Sequence, residues 1–234
     1  MQNIVKGQNT TVFAYGNTGA GKTFTMVGSE SNPGIIPNLM KQLFKTFNTT
    51  YKTRFSFKVS LSYLEIYKEK VYDLLNPSEL DLPIREDQKK NIFIPGLKMS
   101  HLSCFEDFER QFALGNKNRS TASTKLNTAS SRSHAIIQLS IDCTNILNGS
   151  CTTSKFHLID LAGSEDNRKT DNVGIRLEES GAINKSLFVL GQVVDALNNN
   201  LNRIPYRDSK LTRILQVFSL LPFRILWEES LLLS

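Results

Sequence analysis

The chain has 234 residues, of which 40% are hydrophobic and 21% charged, and it contains three cysteines. This composition excludes a largely disordered chain, a collagen-like chain and a disulfide-dense scaffold, and the length favours a single domain with a sizeable core. The net charge of +6 is compatible with an acidic polymer as partner, but it does not single out nucleic acid.

The first half of the chain alternates between strand and helix patterns. Apolar residues occupy every second position from Phe55 to Tyr63, which is the period of a half-buried strand. The predicted elements, in chain order, are a strand over Thr10–Tyr15, a glycine-rich turn over Gly16–Lys22 with a helix starting at its end, a helix over Ile35–Phe47 and a strand over Phe55–Tyr67.

The second half continues the alternation. A capping box formed by Ser103 and Glu106 predicts the start of a helix. The predicted elements are a helix over Ser103–Phe112, strands over Ala135–Ile141 and Lys155–Leu161, and a long helix over Glu178–Asn198. The apolar face of the long helix is formed by Ile183, Leu187, Leu190, Val194 and Leu197. Strands and helices mixed in this way predict an α/β fold whose sheet is covered on both faces.

A phosphate-binding motif follows the first strand. The segment GNTGAGKT fits the pattern G-x-x-x-x-G-K-[ST], and its glycines allow backbone angles that turn successive N–H groups toward a phosphate. Lys22 adds a positive charge near the β- and γ-phosphates, and Thr23 offers a hydroxyl to Mg²⁺. Phe24 occupies the third glycine position of a dinucleotide fingerprint, which argues against that alternative. The predicted nucleotide-binding residues are Gly16, Asn17, Thr18, Gly19, Ala20, Gly21, Lys22 and Thr23.

Two further polar segments adjoin predicted strands. NTASSRSH, at Asn127–His134, precedes one strand, and DLAGSE, at Asp160–Glu165, ends another. An aspartate at the carboxyl end of a strand suits the second coordination sphere of a magnesium ion, and a following glycine offers a backbone N–H close to a γ-phosphate. Taken alone, each segment is equally compatible with an ordinary loop.

The three segments together, in this order, resemble the phosphate loop, switch I and switch II of the kinesin motor domain. Further segments at Ser62–Leu75, Glu179–Leu197 and Ile204–Gln216 are also similar to kinesin heads, so that the resemblance runs from about Asn9 to Gln216. The segments IREDQKKNIFIPGL and SLFVLGQVVDALN are most similar in sequence to those of the kinesin-10, Kid-like chromokinesins. The resemblance implies a P-loop NTPase with a central, mostly parallel sheet flanked by helices.

The resemblance also implies roles for individual residues. ATP and Mg²⁺ are the implied substrate and metal, with the metal held through Thr23, Ser131 and Asp160. The implied catalytic residues are Glu165, Arg132, Ser131 and Gly163, with Arg132 and Glu165 forming an ion pair when both switches close. Ser130 and Ser133 would lie near the γ-phosphate, Asn184 would tie the long helix to the nucleotide site, and His134 would be structural.

Microtubules are the partner that the resemblance implies. The expected contacts are Arg168, Lys169, Arg176, Lys185, Arg203, Arg207, Lys210 and Arg213. No membrane partner is expected, and chromosomal DNA or a second copy would bind only through regions outside this sequence. The expected location is the cytoplasm and the microtubule cytoskeleton, including the spindle, with the nucleus as a further site. The scattered cysteines agree with a reducing compartment.

The expected division is a partial motor domain at residues 1–216 and an atypical hydrophobic segment at 217–234. Both ends differ from the family pattern, so the motor head is expected to be incomplete. Three functions remain open from the sequence: a microtubule-stimulated ATPase, a non-motile product that only binds nucleotide or microtubules, and a P-loop enzyme of another class such as a helicase.

Overall fold

The structure is a computed structural model that describes residues 2–125, 130–165 and 175–216. Its helices are α1 (Gln2–Val5), α2 (Lys22–Met26), α3 (Ile35–Thr49), α4 (Phe105–Lys125), α5 (Ile175–Asn198) and α6 (Lys210–Leu215). Its strands are β1 (Thr10–Ala14), β2 (Phe55–Tyr67), β3 (Lys70–Asp73), β4 (Arg85–Glu86), β5 (Ile92–Phe93), β6 (Ser100–Leu102), β7 (His134–Asn145) and β8 (Cys151–Asp160). Single 3-10 turns lie at Ser130–Arg132 and Tyr206–Asp208.

Every predicted element is present, and β2 has the predicted bounds. The largest difference is α4, which extends to Lys125 because the helical pattern continues well past the predicted end. The cap of α4 also differs from the prediction. Asp107, rather than Glu106, accepts from the backbone N–H of Ser103 at 2.8 Å and of Cys104 at 3.3 Å.

One mixed sheet carries the fold. Its strand order is β1–β8–β7–β2–β3, and β6 also pairs with β2. β1 runs parallel to β8, with Ala14 opposite Asp160. The carboxyl ends of β1 and β8 therefore meet at one edge of the sheet, and the phosphate loop leaves β1 at this edge.

The α/β class is confirmed, but the strands are more antiparallel than expected. Of the pairings in this sheet, β1–β8 is parallel, while β8–β7, β7–β2, β2–β3 and β2–β6 are antiparallel. Short hairpins account for two of these pairs, β2–β3 and β7–β8, since a parallel pair needs a long crossover. The β2–β3 turn consists of Lys68 and Glu69, whose φ angles of 50° and 56° suit a two-residue hairpin.

Two hydrophobic cores cover the two faces of the sheet. On one face α3 and α4 pack through Met40, Leu43, Phe44 and Phe108 against Leu61, Leu139 and Leu158. On the other face α5 and α6 pack through Ile183, Leu187, Leu190, Leu211 and Ile214 against Leu64, Ile136 and Ile159. The predicted apolar face of the long helix is thus buried except at Leu197, which is half-buried, and each large aliphatic side chain that is buried contributes about 1.5–3 kcal/mol.

Among the described residues, no helix combines the length and the apolar character that crossing a membrane requires. The segment 217–234 lies outside the described residues, so the predicted division at residue 216 stays a prediction.

Candidate nucleotide site

The loop between β1 and α2 has the backbone geometry of a phosphate-binding turn. φ is 82° at Gly19 and 84° at Gly21, in the left-handed region that favours glycine. Ala20 N–H donates to the carbonyl of Asn17 at 3.1 Å and closes the turn. Angles of this kind direct successive backbone N–H groups toward one centre, which is the arrangement that binds a phosphate.

Lys22 is held over this loop. Its ammonium donates to the carbonyl oxygens of Gly16 at 2.9 Å and Asn17 at 2.8 Å, and the residue is only 8% exposed. Burial lowers the pKa of Lys22, while the nearby Asp160 and Glu165 carboxylates act in the opposite direction. The loop therefore contains a fixed cation beside two acids that are distant from it in the sequence.

Thr23 and Asp160 form the oxygen pair that would hold a magnesium ion. Thr23 Oγ1 donates to Asp160 Oδ2 at 2.8 Å, across the parallel β1–β8 pair. Asp160 is 2% exposed, and its second oxygen, Oδ1, is buried without a hydrogen-bond partner among the described residues. A hydroxyl and a carboxylate are the hard oxygen groups that suit Mg²⁺, so these residues fit the metal.

Switch II contacts the phosphate loop directly. Thr18 donates its backbone N–H to Glu165 Oε2 at 2.9 Å and its hydroxyl to Glu165 Oε1. Ser164 N–H donates to the carbonyl of Gly16 at 3.1 Å, and Ser164 Oγ donates to Asn17 Oδ1 at 3.0 Å. Burial acts to raise the pKa of Glu165, but the hydrogen bonds from Thr18 outweigh it and lower that pKa, so the carboxylate is ionised at neutral pH.

Gly163 joins the two switches. Its backbone N–H donates to the carbonyl of Ser131 at 2.7 Å. A Cβ at Gly163 would lie 2.3 Å from Glu165 Oε2 and 2.4 Å from Thr18 Oγ1, so only glycine fits beside this pair without a shift. Ser131 and Arg132 are half-buried in the turn of switch I. The predicted Arg132–Glu165 ion pair stays a prediction, since the described contacts of the Glu165 carboxylate are with Thr18.

A buried ionic cluster behind the site was not predicted. Arg119 of α4 is 5% exposed and donates to Asp160 Oδ2 at 2.7 Å and to the carbonyl of Ser133 at 3.4 Å. Its Nε also lies 3.8 Å from Glu65 Oε1, which accepts from the Ser133 hydroxyl. Burial opposes the charge of Arg119, but the neighbouring Tyr63 and the carboxylates outweigh it and raise the pKa of Arg119. The cluster therefore links Asp160, switch I and β2 through one guanidinium.

His134 connects switch II to α5. Ala162 N–H donates to His134 Nδ1 at 3.1 Å, which makes Nε2 the protonated nitrogen that bonds Ser186 Oγ at 2.7 Å. Ser186 Oγ in turn donates to the carbonyl of Ile183 at 2.7 Å. Burial lowers the pKa of His134 to about 3, so this chain of hydrogen bonds contains a neutral imidazole.

Some predicted site residues lie outside these contacts. Residues 126–129 of switch I and residues 166–174, with Arg168 and Lys169, are outside the described residues, and so are the side chains of Ser130 and Arg176. Asn184 is half-buried on α5, and Arg203 is exposed before the turn at Tyr206–Asp208.

Four of the predicted polymer-binding cations surround one open cleft of about 590 Å³. They are Lys185, Arg207, Lys210 and Arg213. Glu86 of β4 lies in the same cleft, where it accepts from Arg207 at 3.1 Å and also from Arg213. These two hydrogen bonds, that from Arg213 being the larger effect, lower the pKa of Glu86. Glu69 and Asp208 also line the cleft, so that four cations lie among three carboxylates, and Glu86 orients the two arginines.

Comparison with known proteins identifies the family. The family model described as the kinesin motor domain matches residues 1–220. The chain belongs to the kinesin motor-domain family. It is 54% identical over 222 residues to kinesin-like protein KIF22 of Danio rerio, covering 92% of this chain and 35% of that protein. It is 53% identical over 219 residues to KIF22 of Mus musculus, covering 92% of this chain and 33% of that protein.

Solved kinesin structures have the same fold. A fast kinesin, described with its ATPase mechanism and its interactions with microtubules, superposes with a TM-score of 0.85 at 40% identity, covering 93% of this chain and 62% of that one. Kinesin motor mutants that reveal a signalling pathway for ATPase activation give a TM-score of 0.79 at 36% identity, covering 93% of this chain and 64% of theirs. The chain spans about a third of the length of the curated kinesins it matches.

Proposed function

We propose that this kinesin chain is an ATP-hydrolysing motor head whose turnover is stimulated by microtubules. The observation that carries the proposal is the contact between switch II and the phosphate loop. Glu165 and Thr18 are 147 residues apart in the chain, yet both oxygens of the carboxylate accept from Thr18. An ionised acid of switch II is thereby fixed beside the phosphate loop.

Nucleotide binding is the task of the loop and its lysine. The backbone N–H groups of Gly16–Thr23 would surround the ATP phosphates, and the Lys22 ammonium would balance the charge of the β- and γ-phosphates. Thr23 would hold Mg²⁺, with Ser131 as second ligand and Asp160 in the second sphere. The metal, when bound, neutralises charge that develops on the phosphate oxygens.

Hydrolysis is the task of the two switches. Water attacks the γ-phosphorus, the bond from the γ-phosphorus to the bridging oxygen of ADP breaks, and a proton of that water passes to Glu165. The Gly163 N–H, which donates to the Ser131 carbonyl in this structure, would donate to the γ-phosphate once that bond is released. Arg132 pairs with Glu165 once switch I closes, so that hydrolysis depends on both switches.

Microtubule binding is assigned to the basic cleft between α5, α6 and β4. Its four cations outnumber its three carboxylates and so suit an acidic protein surface, and such complementarity acts mainly on the rate of association. The microtubule cytoskeleton, including the spindle, is the location that follows from this partner.

Phosphate release by the full chain in Mg-ATP, with and without microtubules, tests the proposal. We expect slow release alone and faster release with microtubules, and no release above background for Lys22→Ala, which lacks the loop cation. Stoichiometric nucleotide binding without any stimulation would instead indicate a passive binding module. Equal Mg-ATP affinity in Lys22→Ala and the parent chain would refute the phosphate loop itself.

A further inference from the structure

An apolar tip projects from the end of the sheet that lies opposite the phosphate loop. The hairpin between β7 and β8 exposes Ile146 by 55% and Leu147 by 87%, and the latter is the largest exposed fraction among the large hydrophobic residues of the described part of the chain. Phe55, which begins β2, pairs with Asn145 at this end, while the phosphate-loop end of β2 lies about 33 Å away at Glu65, at ~3.3 Å per residue.

The tip is rigidly built. Ile146 N–H donates to the carbonyl of Arg54 at 2.9 Å, and Leu147 N–H donates to Asn145 Oδ1 at 2.9 Å. Gly149 N–H donates to the carbonyl of Asn145 at 2.9 Å, and φ at Gly149 is 69°. These bonds fix the backbone in a position that holds the Leu147 side chain in solvent.

Cations surround the tip. Lys52 and Arg54 lie in the turn that contacts Ile146, and Lys6 lies on the other side, where Thr152 Oγ1 donates to the carbonyl of Val5 at 3.3 Å. All three cations are exposed, and the sequence between Glu30 and Glu65 contains no acidic residue.

Asp142, the carboxylate of β7 nearest the tip, is already engaged. Asp142 lies opposite Lys58 in the β2–β7 register and accepts from Thr153 Oγ1 at 2.7 Å. At the start of α4, Asp107 is paired with Arg110, while Glu106 and Glu109 are exposed. In the segments that form the tip, Lys6, Lys52 and Arg54 outnumber Asp142, so the charge beside the tip is positive.

We propose that this end, the basic hairpin end formed by Lys6, Lys52, Arg54, Ile146 and Leu147, docks onto an anionic lipid membrane. A protruding aliphatic pair can enter the outer part of a bilayer, while flanking cations contact anionic headgroups. Peripheral binding of this kind needs no membrane-spanning helix. It differs from the expectation that the chain has no membrane partner, and it does not depend on the proposed ATPase.

Single-stranded nucleic acid is a poorer fit to the same surface. Binding of single strands uses aromatic rings as platforms for the bases. Here the rings behind the tip pack on one another, with centroids 3.7 Å apart for Phe47 and Phe57 and 5.9 Å apart for Tyr51 and Phe55. A nucleic acid would also leave Leu147 in water.

Vesicle co-sedimentation with the full chain tests the proposal. We expect binding to phosphatidylcholine vesicles that contain phosphatidylserine, weakening as salt is added, and no binding to pure phosphatidylcholine. The double variant Lys52→Gln/Arg54→Gln should bind about 30-fold more weakly, because each cation near an anionic surface contributes about fivefold. Leu147→Ser should bind about tenfold more weakly through lost apolar burial.

Matched variants elsewhere on the surface serve as controls. Leu80→Ser removes another leucine that is 72% exposed, and Lys98→Gln/Lys117→Gln removes two exposed cations away from the tip. Both should bind like the parent chain. All substitutions are exposed, so thermal unfolding should be unchanged.

Two results would overturn the proposal. The first is a failure of the parent chain to sediment with phosphatidylserine vesicles at low salt. The second is unchanged vesicle binding by Leu147→Ser. If oligothymidylate bound with sensitivity to Lys52 and Arg54 while Leu147→Ser had no effect on either probe, the surface would be a general polyanion site and the membrane assignment would be wrong.

Discussion

At Gly163, the neighbouring residues of the nucleotide site leave no room for a side chain. A methyl group there would overlap the Glu165 carboxylate and the Thr18 hydroxyl, so one of them must move. We expect Gly163→Ala to lower kcat at least about tenfold with little change in nucleotide affinity, as for loss of a transition-state interaction. Steady-state turnover and calorimetric ATP binding measure the two effects.

Gly191→Ala is the control for this substitution, because a Cβ at Gly191 meets nothing within 4 Å. It should turn over like the parent chain. Normal turnover by Gly163→Ala as well would show that the Glu165–Thr18 contact has no part in hydrolysis.

Glu165 has two candidate partners, and they are separable by experiment. The structure pairs it with Thr18, whereas catalysis is proposed to pair it with Arg132. We expect Glu165→Ala and Arg132→Ala to lower kcat strongly and the double variant to be little worse than either, because partners in one unit are non-additive. In denaturant unfolding, Glu165 should couple instead to Thr18. Multiplicative losses of kcat for Arg132 and Glu165 would argue against a shared ion pair.

At the scale of elements, α4 is the helix that holds the site in place. Arg119 is its buried cation, and removing it would take from Glu65 and Asp160 the guanidinium that both of them contact. We expect Arg119→Met to destabilise the fold by about 3–5 kcal/mol, the cost of breaking a buried ion pair. Urea unfolding measures the change. Lys117→Met, at an exposed position of the same helix, should shift stability by less than about 0.5 kcal/mol, and equal effects of the two would contradict the role of the cluster.

The elements also show how far the sequence could predict the site. The phosphate loop was predictable because its chemistry is local, with glycines, Lys22 and Thr23 in one contiguous motif. The Arg119 cluster was not, because Arg119, Glu65 and Asp160 come from three elements and only packing brings them together. A cationic residue in the interior of a helix has no sequence pattern that separates a buried ion pair from a solvated charge. The antiparallel pairings were missed for a similar reason, since a hairpin without glycine, such as Lys68-Glu69, gives a weak turn signal.

At the scale of the whole molecule, two buried histidines set how stability depends on pH. Burial lowers the pKa of both His134 and His157 to about 3, against about 6.5 in an unfolded chain. Between these pKa values the unfolded state binds two protons that the folded state does not. The contribution of the two neutral imidazoles to the free energy of unfolding is therefore complete above pH ~6.5 and is lost as the pH falls. Burial raises the pKa of Glu65, so this group has the opposite effect on the pH dependence of stability, through at most one proton.

We therefore expect the free energy of unfolding in urea to fall by at least about 1.4 kcal/mol per pH unit between pH 6 and 5. His101 lies exposed on β6, so His101→Gln should leave this slope unchanged. A flat profile from pH 7 to 5 would show that the two imidazoles are not held neutral.

The pairing of β1 with β8 also determines when, during synthesis of the chain, the nucleotide site can form. β1 and its phosphate loop are synthesised before β8, and Asp160 and Glu165, which complete the site, follow about 145 residues later. At ~5–20 residues per second, the loop waits roughly 7–30 s for its partner strand. During that interval β7 and β8 have not both emerged, so the loop lacks the contacts with Asp160 and Glu165. Contacts between such distant parts of the chain also make closure of the sheet slow, and nucleotide can aid folding only after the last switch has been synthesised.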